Sequence, residues 1–183
     1  MAQDALGLEI TTGSQDAVTA WNSAVFDFLE ARLSLGEQIK ASLAADPDFV
    51  LALCFRGYFL MQLSSVSTAG KVAGIISQAQ EHASDATLRE QMHVRALEYW
   101  SQGQVSQTRK IWEDILVEAP RDLLALRLHH FASFWQGDRA SLRDAPASIL
   151  GQVENTMPGY GFVQGMFAFG LEETGDYARA EKF

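Results

Sequence analysis

Several things are scarce in this sequence, and each scarcity removes a class of protein. It has one cysteine in 183 residues, so no disulfide can close within the chain and a small disulfide scaffold is excluded. That cysteine, Cys54, sits in the apolar run FVLALCFRGYFLMQL, where a buried, unreactive thiol is the expected state. Basic residues are also few: 14 Lys and Arg stand against 23 Asp and Glu, a formal charge of −9. This balance, without any Lys/Arg run, disfavours nucleic acid and anionic membranes as partners. The longest apolar run is broken by Arg56 and falls short of a bilayer span, and the opening MAQDALGLEI has neither the basic region nor the apolar core of a signal peptide. A cytoplasmic location is the resulting expectation. Gly-x-Ser-x-Gly, HExxH and cysteine-rich ligand spacings are missing, as is a glycine-rich loop after a strand, so no catalytic residue, metal or cofactor is expected from motifs.

What the sequence does contain is helical periodicity. Residues 1 to about 15 carry no sustained period and read as an arm that docks on the first helices. From Asp16, a candidate N-cap, Val18, Trp21, Val25, Phe28 and Leu29 fall near one face. The pattern pauses at Ser34 to Gly36, resumes through Ile39 and Leu43, and stops at Asp46-Pro47. A third helix, apolar nearly all round, is predicted from about Asp48 to Leu63, and a serine-rich turn from Ser64 to Gly70 precedes a poorer helix through Ala79. The stretch Arg89 to Pro120 is the clearest: Tyr99, Gly103, Trp112 and Pro120 keep the offsets of a tetratricopeptide helix pair. Further helices are predicted over Asp122 to Gln136, Ala140 to about Val153 and Tyr160 to Thr174, the middle one short, kinked or restarted at Pro146. Gly36, Gly70, Gly103, Gly137 and Gly175 lie 34, 33, 34 and 38 residues apart, close to the repeat length of 34. The predicted fold is therefore all-α: a tetratricopeptide-like superhelix of about four to five antiparallel helix pairs over residues 16–183, following the 1–15 arm.

A more specific likeness is spread along the chain. Ala45-Asp46-Pro47 with Phe49-Val50, Arg89-Glu90-Gln91 with His93-Val94, Pro120 with Asp122, Leu124-Ala125-Leu126, His130, Gly165, Phe169-Gly170-Leu171, Glu173-Thr174, Tyr177 and Ala180-Glu181-Lys182 occur in order. By these residues the chain resembles the amino-terminal part of the tetratricopeptide repeat protein 38 family. The resemblance implies a helical-repeat fold and no particular biochemical activity. It also implies further helix pairs beyond Phe183, since members look considerably longer. Where the family pattern has a His-Asp pair, this chain has His130-Phe131, so no acid–base role can rest on that aspartate.

In tetratricopeptide arrays, fixed positions of the first helix of each pair face a concave surface. Set by the turn glycines, these are Glu90, His93, Leu97 and Trp100, then Leu124, Arg127, Phe131 and Phe134, then Phe162, Gly165, Phe169 and Glu172. Such an aromatic and apolar groove should be filled by a partner helix, by the chain's own first fifteen residues or by further helices. The leading expectation is a non-enzymatic interaction module holding a protein or peptide partner, with His93, Leu97, Trp100, Arg127, Phe131 and Phe134 as groove residues. The alternative phase, shifted by one position, turns these aromatics into core. The rival from another class is an enzyme or metalloprotein whose site uses His93 and His130, with Glu90 and Glu98 as further candidate ligands, completed by residues this chain lacks. Finally, Tyr177 and Phe183 sit on a face that a next repeat would cover, so self-association through the last repeat, or continuation into a longer protein, is expected.

Overall fold

In the computed structural model the chain is described over residues 2–63 and 65–183, the side chains of residues 66, 67 and 69 excepted. It is all-α. The helices are α1 (Gln15–Leu29), α2 (Leu35–Ala45), α3 (Val50–Gln62), α4 (Val66–His82), α5 (Leu88–Ser101), α6 (Val105–Glu118), α7 (Leu123–Trp135), α8 (Arg139–Leu150), α9 (Tyr160–Glu173) and α10 (Tyr177–Ala180). The sequence gives no sign of a sheet, yet the arm folds back on itself as a two-residue antiparallel pair, β1 (Ala2–Gln3) with β2 (Glu9–Ile10). Two compact units result, residues 1–111 and 112–183, dividing within α6.

The turns after α5, α7 and α9 share one backbone device. Gly103, Gly137 and Gly175 have φ of 74°, 68° and 83°, a left-handed conformation that costs glycine nothing. Each glycine N–H donates back three residues and the next N–H donates back five: Gln104 to Tyr99 at 2.9 Å, Asp138 to Ser133 at 3.0 Å, Asp176 to Leu171 at 2.8 Å. The final carbonyls of each helix are thereby satisfied. In the last two turns the aspartate then caps the following helix, its side chain accepting from Ser141 and Arg179 N–H respectively.

The two earlier glycines behave otherwise. Gly36 is the second residue of α2, and Gly70 lies inside α4, so neither is a hinge; the rest of the predicted 64–70 turn falls in part outside the described residues. The turn after α1 uses Ala31 instead, at φ 55°, with Arg32 N–H donating to the Asp27 carbonyl at 2.8 Å. The bonding is that of the glycine turns with the wrong residue for it. Ala31→Gly should therefore stabilise unit 1 by about 0.5–1 kcal/mol, the relief of the left-handed strain less the entropy of glycine. A urea midpoint that falls in this variant would contradict that account.

In unit 1, α1 begins two residues earlier than Asp16 suggests: Ser14 is the N-cap, its side chain accepting from Ala17 N–H, and Asp16 sits in the first turn, where its charge suits the helix dipole. α3, apolar nearly all round except at the exposed Arg56, packs against α2, α4 and α5. Trp21 of α1 meets Phe49 and Phe55 edge-on at 5.5 and 5.7 Å, and Phe28 meets Phe55 at 5.4 Å. The arm is tied down by polar bonds. Glu90 of α5 accepts from Thr11 N–H at 2.9 Å and from its hydroxyl, Arg89 donates to the Glu9 carbonyl at 2.9 Å, and Thr12 donates to Asp46.

In unit 2, α8 packs against both α7 and α9. Of the expected effects of Pro146 the restart does not occur: α8 runs as one helix through it, ending at Leu150, short of Val153. Pro146 has no N–H to give the Leu142 carbonyl, and that carbonyl lies on the face that α9 approaches most closely. A Cβ on Gly170 would come within 2.5 Å of the Leu142 oxygen and of Arg143 N and Cα. The carbonyl left bare by proline is thus met by the bare backbone of a glycine, which lets α8 and α9 close up.

Candidate functional site

α7 carries Arg127, Phe131 and Phe134 at a spacing that keeps them on one face, and α9 presents Phe162, Gly165, Met166 and Phe169 to it. With His130 and Gly161 these residues line a cavity of about 390 Å³. The walls are mainly aromatic: Phe169 lies 5.7 Å from the His130 ring and 6.0 Å from that of Phe134. Phe134 is 46 % exposed and its neighbour Trp135 78 %, so large apolar groups stand at the edge as well as inside. This volume and lining belong to the range of sites that take a side chain or a small ligand.

The polar content of the cavity is two groups. The Arg127 guanidinium lies over the Phe131 ring, 4.3 Å from its centroid; its Nε is buried without a hydrogen-bond partner, and burial lowers its pKa. No carboxylate is among the lining residues. His130, 6 % exposed, has its pKa lowered to about 4, first by burial and then by the positive charge of Arg127, with a bond to the Met166 backbone acting in the opposite direction. It is therefore neutral at pH 7, and its Nε2 has no partner.

A neutral buried histidine carries a pH signature. The unfolded chain takes up the proton near the ordinary value of 6.5, whereas the folded chain resists it down to about 4. Stability contributed by His130 is thus full above pH 6.5 and is lost as pH falls through that window, by up to about 3 kcal/mol. His130→Gln should flatten this part of the stability–pH curve of unit 2. Parallel curves for the two proteins would contradict the assignment.

The six groove residues expected from sequence divide between the units. Arg127, Phe131 and Phe134 line the unit 2 cavity, together with Phe162, Gly165 and Phe169 from the same positions of the next pair. In unit 1 the placement differs and the expectation is corrected: His93 and Leu97 have no exposed surface. The Tyr58 hydroxyl donates to the His93 carbonyl at 2.8 Å, and the His93 imidazole Nδ1 lies 3.2 Å from the Tyr58 hydroxyl oxygen. Leu97 fills the space over Gly57, where a Cβ would come within 2.3 Å of it. Trp100 is half-buried, tilted against Tyr58 at 5.9 Å. Glu90, also fully buried, is the seat of the arm. These α5 positions serve the interior because buried partners satisfy their polar atoms, which the spacing of apolar residues cannot reveal.

His129, next to His130, points elsewhere: its Nε2 lies 3.0 Å from Glu113 Oε1. Among the described residues no three His, Cys, Asp or Glu side chains gather as a metal ion requires. Cys54 is buried, and burial raises its thiol pKa far from reactivity. Among those residues, too, no helix is long and apolar enough to cross a membrane. No family model matches the chain. No solved structure matches it significantly either.

Proposed function

We propose that the chain is a non-enzymatic helical-repeat module, stacked in the tetratricopeptide manner and related to the tetratricopeptide repeat protein 38 family, that holds a protein or peptide partner in the groove between α7 and α9. The observation that carries this reading is the aromatic cavity of unit 2, open at its edge and walled by residues of α7 and α9. The three turns of identical bonding at Gly103, Gly137 and Gly175 support the repeat architecture, because each sets the same reversal between neighbouring helices. Large exposed aromatics at Phe134 and Trp135 support a macromolecular occupant, since they extend the apolar surface beyond the cavity itself. A cytoplasmic location belongs to the same proposal.

The test is affinity capture with the whole chain and with a Phe134→Ala/Phe169→Ala variant of unchanged melting temperature. A partner held by the natural chain and lost from the variant is the expected result. Identical sets of bound proteins would remove the groove from the account.

A further inference from the structure

The cavity has a charge that nothing in its wall answers. The chain as a whole is strongly acidic, yet the residues lining this site include one arginine and no carboxylate. Among the described residues Arg127 has no ion pair, and its Nε is buried without a partner. Of the acids beside α7, Glu113 is engaged by His129 at 3.0 Å and Asp122 caps the helix, accepting from Ala125 N–H at 2.8 Å. A half-buried cation on an aromatic face, with part of its hydration shell stripped and no counterion, is stabilised by any anion that arrives with an apolar body. The rest of the wall specifies that body: Phe134, Phe162, Met166 and Phe169 offer room for one large side chain and almost no hydrogen bonds.

We infer that the α7–α9 cavity receives an acidic amphipathic helix, whose large apolar side chain enters the cavity while a carboxylate one turn away pairs with Arg127. The inference rests on the groove reading above and adds the chemistry of the partner. The spacing follows from α7 itself. Arg127 and Phe131 are separated by four residues, about 6 Å along the helix axis, so an anchor seated at the level of Phe131, between Phe134 and Phe169 on one side and Arg127 on the other, places a group one helical turn distant beside the guanidinium. A helix supplies both groups from one face. The neutral His130 adds no second positive charge, so a single carboxylate suffices.

The probes are two end-capped, alanine-based 14-residue helices, one carrying Phe and Glu four residues apart and the other Phe and Gln, titrated against the whole chain by fluorescence anisotropy. The Glu helix should bind about tenfold more tightly than the Gln helix, a difference that shrinks with added salt. Arg127→Gln should erase that difference, Arg127→Lys should retain part of it, and Phe134→Ala should weaken both helices alike. Equal binding of the two helices to the natural chain overturns the charge inference and leaves the groove reading standing. Binding of neither helix overturns the inference, and the groove reading falls only if capture is also insensitive to Phe134→Ala/Phe169→Ala. Tighter binding of 3-phenylpropionate than of the Glu helix would assign the cavity to a small organic acid and overturn the choice of a helix.

Discussion

Gly170→Ala should cost unit 2 about 3 kcal/mol or more, although alanine is the better helix former. The added Cβ would lie within 2.5 Å of Arg143 Cα, Arg143 N and the Leu142 carbonyl oxygen. All three are main-chain atoms, so no rotamer change relieves the overlap and α8 must move away from α9. Because α9 carries half of the cavity wall, the same shift should loosen the site. Gly165→Ala in the same helix is the matched control: nothing lies within 4 Å of its Cβ, and it should gain about 0.5–1 kcal/mol. Hydrogen exchange of α8 and α9 read alongside a urea titration separates the two. Equal and small effects would mean that the close approach at Leu142–Arg143 is not what holds these helices together.

The second large effect is expected at Glu90. Its buried carboxylate accepts from Thr11 N–H at 2.9 Å, from the Thr11 hydroxyl, and from Thr87 N–H at 2.8 Å, the last as part of the cap of α5. Glu90→Ala removes a fully buried acceptor and leaves these part-buried donors without it, at a cost of roughly 2–4 kcal/mol. The arm should detach: amides of residues 9–12 should exchange rapidly, and a protease should remove the arm while α1–α4 persist. Glu90→Gln keeps the volume but turns a donor toward donors, so it should lose most of the same stability. An arm that stays protected in Glu90→Ala would show that Ile10 and Leu6, both buried, hold it by apolar contact alone.

Much of this architecture can be read from the chain, and the exceptions have physical causes. The boundaries of α3, α5, α6, α7 and α9 follow from proline exits and from glycines that must adopt positive φ, both of which act locally. Ala31 is invisible for the converse reason: an alanine forced into the glycine conformation leaves no mark in the sequence, and Gly36, close by, draws the hinge five residues too late. Pro146 reads as a break because its local effect is unfavourable, and only packing on Gly170, far along the chain, shows why α8 tolerates it. The aromatic face of α7 and α9 is legible because apolar residues recur there at helical spacing. The fate of α5 is not, since Glu90 and His93 are polar by type and are buried only because Thr11 and Tyr58 satisfy them. The sequence marks His130 as a candidate ligand but not as a neutral wall of the cavity, because its burial and the proximity of Arg127 decide its state.

The claim on which the functional reading depends is that partners are held at the α7–α9 groove of unit 2. A photo-crosslinking amino acid placed at Phe134, and in a separate protein at the fully exposed Leu33 of unit 1, tests it in cells. The account expects a discrete adduct from position 134, suppressed by Arg127→Gln, and no such adduct from position 33. Adducts of the same mass and yield from both positions, or from position 33 alone, would contradict it.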